Sequence, residues 1–282
     1  MPSPLQHILV PVDFSPASLN ALRFATSLAL PHAARITVFH AYRLEIIEPY
    51  MAIEMQQALQ EQKEEMALER FRELVQDLQK EEKDTLHIDF RIALGLASEE
   101  VLVQCAGLQP DLVVMGMRGS SGSGLSLLGS VTTAVLQRAA TPILVIPETV
   151  TYSGFKHIAY ATHLEGEDLR VIDHMLPFAH EREAQFTCFH VHTAESADPS
   201  ERMEMLHRAY AQEVKDQQIS FSTLNADDVL GGIRRFVHEH RIDLLVMLTH
   251  SRSLLGKMLH KSYATRMARL TEVPLWIFTM GK

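Results

Sequence analysis

Short, continuous apolar runs alternate along this chain with longer stretches in which apolar residues recur every three or four positions. Ile8-Leu9-Val10, Leu112-Val113-Val114-Met115 and Ile143-Leu144-Val145-Ile146 read as strands buried on both faces. Leu59, Met66, Phe71, Leu74, Val75 and Leu78 keep helical spacing. The pattern predicts a strand over 7–12 and a helix over 15–30, with Ser15 as N-cap and Pro16 at the first helical position. A strand over 35–41, a loop containing Pro49 and a long helix over 53–82 follow. Next come a strand over 86–93, a helix from Ser98 as its cap to Gly107, a strand over 111–115, a glycine-rich loop, a helix and a strand over 142–146. After a linker over 148–154 the order repeats, with helices over 168–180, 199–217, 227–240 and 262–271. Strands alternating with helices imply parallel sheets covered on both faces. The helix over 53–82 would measure about 45 Å at about 1.5 Å per residue. It should therefore overhang the sheet as a docking or dimer surface, break, or start later, with 43–57 as a loop over the ligand.

The repeat is visible residue by residue. Asp111-Leu112-Val113-Val114-Met115 returns as Asp243-Leu244-Leu245-Val246-Met247, and Pro142 to Ile146 returns as Pro274 to Phe278, both at a shift of 132. His7 to Asp13 corresponds to His157 to His163 at a shift of 150. Two domains follow, 1–148 and 155–282, the second shorter by 150 − 132 = 18 residues between its first and fourth strands.

The 282-residue length fits two domains, and a 46% hydrophobic fraction can fill two cores. A formal net charge of −9 argues against nucleic acid or an anionic membrane as a partner. Two cysteines, Cys105 and Cys188, are too few for a disulfide framework and read as buried thiols of a reducing compartment. The N-terminal residues lack a signal-peptide pattern, and no apolar run nears the roughly 18 residues of a membrane span. The expected location is the cytoplasm.

The chemistry concentrates in Gly116-Met117-Arg118-Gly119 … Gly129-Ser130, between a buried strand and a helix. Glycines allow a backbone to approach an anion, and the N–H groups and dipole of the helix start favour negative charge. Ser130 is placed to cap that helix or to donate its hydroxyl to an oxygen. The spacing is neither that of a Walker loop nor a dinucleotide fingerprint, so a mononucleotide cradle is the better reading. Through the shift of 132, Gly116 becomes Leu248, Gly119 becomes Ser251, Gly129 becomes Lys261, and Ser130 alone survives, as Ser262. Bland readings stand beside these: a flexible connector for the loop, a helix cap for Asp13, a solvated charge for Arg118.

Pro11-Val12-Asp13 at one strand end, His40-Ala41 at another, and Gly-x2-Gly-x9-Gly-Ser resemble the universal stress protein family across essentially the whole chain, as a tandem pair of its domains. The second half departs at every motif glycine and at His163, in the place of Asp13. The resemblance implies an α/β fold of two tandem open parallel five-stranded sheets with helices on both faces, of the adenine nucleotide alpha hydrolase-like, Rossmann-like kind. It implies ATP binding in the first half only. Pro11, Val12 and Asp13 would line the adenosine end and Ala41 would flank the adenine. Met115, Gly116, Arg118, Gly119 and Ser120 would wrap ribose and phosphates, and Gly129, Ser130, Val131 and Thr132 would donate to the phosphates. With Arg118 the one cation near, Mg²⁺ held mainly by the nucleotide would offset the triphosphate charge.

His163, His190, His192 and His250 fall at or near strand ends of the second half, where converging imidazoles would suit zinc, although no metal-ligand spacing supports it. The basic run from His250 to Arg269 reads as a solvated face or an anion site. The reading is an ATP-binding regulator of stress survival. A nucleotide-independent scaffold and a slow ATP hydrolase or adenylating enzyme stand as alternatives, the enzyme disfavoured by the lack of a nucleophile–base pair. The two halves are expected to pair internally through their fifth strands, as a pseudo-dimer, with a homodimer of whole chains and an unidentified protein partner left open.

Overall fold

Continuous apolar runs become central strands because residues on both of their faces need cover. A computed structural model describes residues 5–43, 53–81, 87–117, 128–164, 166–250 and 272–280. The first half runs β1 His7–Pro11, α1 Pro16–Ala29, β2 Arg35–Tyr42, α2 Ile53–Glu81, β3 His87–Leu94, α3 Ala97–Leu108, β4 Leu112–Gly116, α4 Ser130–Arg138 and β5 Ile143–Ile146. The second runs β6 His157–Ala161, α5 Asp168–Glu181, β7 Gln185–His192, α6 Ser200–Ala209, α7 Ala211–Lys215, β8 Ile219–Asn225, α8 Val229–Glu239, β9 Leu244–His250 and β10 Leu275–Met280.

The expected pair of sheets is one sheet. Its order is β3-β2-β1-β4-β5-β10-β9-β6-β7-β8. Strands within each half are parallel, and the halves join where β10 meets β5 antiparallel, with Trp276 opposite Leu144. Side chains alternate across the sheet, so two continuous cores form. Ile8, Val114, Leu144, Tyr160, Val246 and Trp276 share one face with α1 and α5. Leu9, Met115, Val145, Met247 and Ile277 share the other with α3, α4 and α8. Pairing the two apolar fifth strands removes an exposed edge from each half.

The duplication extends to the backbone. Phe14 and Leu164, Ala33 and Glu183, and Gln109 and Arg241 stand at equivalent positions, and all six adopt positive φ. The Asp111 carboxylate accepts from the backbone N–H groups of Gln6 and His7, and Asp243 does the same for Lys156 and His157. The imidazole of His40 donates through Nδ1 to the Val12 carbonyl at 2.8 Å, and that of His190 to Thr162 at 3.0 Å.

Several local expectations are corrected. Helix α3 begins at Ala97 with Leu96 as its cap residue, not Ser98. Gly129 is the cap residue of α4 and Ser130 its first helical residue. The helix expected over 199–217 is two, broken at Tyr210, whose hydroxyl donates to Asp173 at 2.7 Å and to the Leu169 carbonyl at 3.2 Å. Helix α2 neither breaks nor starts late; its 29 residues would run about 43 Å. Pro49, the helix expected over 262–271 and the basic residues after His250 lie outside the described residues. Cys105 and Cys188 are both buried and unpaired, and burial pushes the Cys105 thiol up to about 11. Among the described residues no helix is long and apolar enough to cross a membrane.

Burial also holds His7, His32, His174 and His190 below the ordinary histidine value. On acidification through about pH 6.5 the unfolded chain therefore takes up protons that the folded one does not. Stability should fall as pH drops from 7 to 5. Thermal unfolding at the two values checks this, and an equal or higher midpoint at pH 5 contradicts it.

Candidate functional site

The carboxyl ends of β1 and β4 lie side by side, and between them a cleft opens. It is lined by Pro11, Val12, Asp13, Ala41, Met115, Gly116, Gly129, Ser130, Val131 and Thr132. Ten of the thirteen residues singled out from the sequence are thus brought together. The other three, Arg118, Gly119 and Ser120, lie outside the described residues. Ser18, Phe39, Ala97 and Val101 also line the cleft, and sequence reading missed them. Phe39 carried a signal, since it lies two residues before Ala41 and so on the same face of β2. Ala97 and Val101 are four apart on α3 and face the cleft together, but nothing in the sequence tied α3 to β4.

Each glycine has its own reason. A Cβ on Gly116 would stand 2.6 Å from the carbonyl oxygen of Ala17 and 3.1 Å from the Ser18 nitrogen. The first turn of α1 therefore packs directly on the end of β4, and only glycine permits it. Gly129 has φ −63° and ψ 153°, an extended conformation open to any residue. A left-handed backbone is therefore not what this position requires. Its N–H donates to the Met117 carbonyl at 2.7 Å, which ties together the two ends of the intervening segment.

The floor is polar in a specific way. Ser130, Val131 and Thr132 open α4, and their N–H groups have no intrahelical acceptor. Among the described residues no side chain caps this helix, and its cap residue, Gly129, has none to offer. The Thr132 hydroxyl does not point its proton into the cleft but donates to the Gly116 carbonyl at 3.0 Å. Backbone N–H groups, not that hydroxyl, are the donors on offer. Asp13 is exposed, and its Oδ1 accepts from the Ser15 N–H at 3.0 Å. Ser15 is itself the N-cap of α1, accepting from Ser18 N–H at 3.3 Å. The cap reading of Asp13 thus has a structural basis: the carboxylate braces the turn that enters α1. Among the described residues, no lysine or arginine lines the cleft.

The corresponding place in the second half is built differently. Strand β4 stops at Gly116, whereas β9 continues through the equivalent Leu248 to His250, paired with Phe278, Thr279 and Met280 of β10. Leu248 is buried. Ser18 is replaced by Asp168, whose Oδ1 accepts from Tyr160 at 2.5 Å and from Thr162 at 2.6 Å. Extra strand and a buried carboxyl group stand where the first half has open space and a hydroxyl. The His250 side chain lies outside the described residues. His190 is tied to Thr162, Nδ1 of His192 hydrogen-bonds Ser196 at 2.9 Å, and the described residues hold no group of three potential metal ligands.

Residues 4–147 and 154–279 each match the model of the Universal stress protein family. A universal stress protein of Mycolicibacterium smegmatis is 32% identical over 143 residues, 49% of this chain and 47% of that one, so the match spans about half of that relative. Another, named for the QAH/OAS sulfhydrylase 3′ region of Thermus aquaticus, is 31% identical over 142 residues and 96% of its length. Among solved structures, a universal stress protein from Archaeoglobus fulgidus superposes with a TM-score of 0.74 at 16% identity, covering 97% of this chain and 98% of that one. A putative one from Pseudomonas aeruginosa gives 0.64 at 16% identity, covering 98% and 93%. At such identity the likeness concerns the fold, and it extends over both halves.

Proposed function

The chain belongs to the universal stress protein family, and on that premise we propose that it is a cytoplasmic ATP-binding regulator of stress survival, with the nucleotide in its N-terminal half alone. The observation that carries this reading is the uncapped start of α4 at the cleft beside Pro11, Val12 and Asp13. Three backbone N–H groups without an acceptor among the described residues, at the positive end of a helix, suit a phosphate group. Met115, Val101 and Ala41 supply the apolar wall that a base needs. The residues present therefore fit an adenine nucleotide. Among the described residues there is no carboxylate cluster for a metal, so Mg²⁺ would be carried by the phosphates and water.

The same geometry argues against fast turnover. Phosphoryl transfer needs a positioned water and charge stabilisation that strengthens in the transition state. The described cleft supplies backbone dipoles and no side-chain cation. Hydrolysis should run far below the ordinary enzyme median of about 10 s⁻¹. Denaturing the purified protein and identifying the released small molecules by mass spectrometry should yield an adenine nucleotide. Phosphate release measured on the same preparation should be slow or absent. Recovery of no nucleotide, with no uptake of added ATP, would leave the scaffold reading; turnover near the median would make the protein an enzyme.

A further inference from the structure

The join between the halves is nearly symmetric, and its departure from symmetry leaves a space. Leu144 and Trp276 are equivalent positions, since 276 − 132 = 144, and they face each other across β5 and β10. His32 and Arg182 are equivalent at 182 − 150 = 32, and Arg182 Nη2 donates to His32 Nε2 at 2.9 Å. Contacts between equivalent positions mark a pseudo-two-fold axis. Perfect symmetry would make the two flanks of that axis alike.

They are not alike. On one flank Phe24, Tyr152 and Phe155 pack ring on ring, with centroids 5.0, 5.4 and 6.0 Å apart. On the other flank the equivalents of Phe24 and Phe155 are His174 and Leu5. Both replacements are smaller, the equivalent of Tyr152, Pro2, lies outside the described residues, and a cavity of about 440 Å³ is found there. Its apolar boundary includes Pro110, Pro142, Pro177, Phe178 and Trp276. Leu5, Pro110 and Pro142 precede β1, β4 and β5, so this cavity opens at the amino ends of the strands. The nucleotide cleft lies at their carboxyl ends, on the opposite edge of the sheet.

We propose that this cavity is a second ligand site, for a small uncharged aromatic molecule that carries an amide or a similar paired acceptor and donor. Its size lies within the range of about 300–1,000 Å³ typical of small-molecule pockets, which favour domain interfaces. Its proline and aromatic walls suit a flat ring. Its polar contact is His174, which is half-buried, packs edge-on against Trp276 and Phe278, and makes no hydrogen bond with a described residue. Burial keeps that imidazole neutral at pH 7, so it offers one N–H donor and one ring acceptor. His32 lines the space too but is engaged by Arg182, which also pairs with Glu181, so the Asp111 carboxylate is what disfavours an anion here.

Trp276 is the chain's one tryptophan, so its emission and its indole N–H resonance report on this site. Benzamide titrated into the full-length protein should shift both saturably. Benzoate, the same ring with a carboxylate, should bind at least about tenfold more weakly, because a desolvated anion meets the Asp111 carboxylate. His174→Phe and Leu5→Phe each rebuild part of the filled flank. Both should abolish the benzamide response while leaving ATP uptake unchanged. A wild-type protein with no saturable response, a response to benzoate equal to that to benzamide, or a benzamide response that survives in whichever of the two variants folds would overturn the proposal.

Discussion

Gly129→Glu should abolish ATP binding and leave the fold intact. The backbone at this position is extended, with φ −63°, so a side chain meets no conformational penalty. A carboxylate at a helix N-cap is favourable, because it accepts from the free N–H groups and complements the dipole. The variant should therefore be as stable as the parent or slightly more so. The same carboxylate would occupy the place proposed for a phosphate and repel its charge. Affinity should fall at least about a hundredfold, equivalent to about 2.7 kcal/mol. The second half also lacks a glycine here, with Lys261 at the equivalent position. Calorimetry and circular dichroism on the one variant separate the two effects. Wild-type affinity in a folded variant would mean that the start of α4 does not hold the phosphates.

Trp276→Ala should be the most destabilising truncation at the join between the halves. The indole is 1% exposed and sits on the pseudo-two-fold axis opposite Leu144. It packs edge-to-face against Phe178, at 5.0 Å and 80°, and parallel to Phe278 at 5.9 Å. Removing a buried Trp side chain costs about 3–5 kcal/mol, from lost burial and from the cavity left behind. The unfolding midpoint should fall on the order of 10 °C. Trp276→Phe should recover much of this, since the buried indole N–H has no acceptor among the described residues whose loss would add to the cost. Chemical denaturation followed by circular dichroism checks both variants. A loss under about 1 kcal/mol for the alanine change would contradict an interface centred on this residue.

The halves, their strands and their order were legible because two shifts, 150 and 132, align apolar runs whose spacing leaves little choice. The site was legible for a related reason. A buried strand and the helix that follows it constrain where their facing ends go, and six residues of that motif line one cleft with Pro11, Val12, Asp13 and Ala41. The merging of two sheets into one was only half legible. The apolar fifth strands announced a partner, but apolarity alone does not say that the partner strand runs antiparallel and continues the sheet. Caps were less legible still. Ser98 and Ser130 looked like cap residues by type, yet Leu96 and Gly129 hold those positions, because the strand ends and α-helix starts are set by tertiary packing. The break at Tyr210 followed from a hydroxyl reaching Asp173 on a different helix, 37 residues away, which no local pattern encodes. Histidine abundance alone did not tell what the imidazoles do. Equivalent positions 40 and 190 use their imidazoles to hold a strand end, and the described residues form no group of three metal ligands.

The central claim is that one half binds nucleotide and the other has lost the means to do so. Titration of the full-length protein with Mg²⁺-ATP by isothermal calorimetry tests it directly. The cleft at β1, β4 and α4 predicts one site per chain, abolished by Gly129→Glu. Two sites per chain, or none, would contradict it.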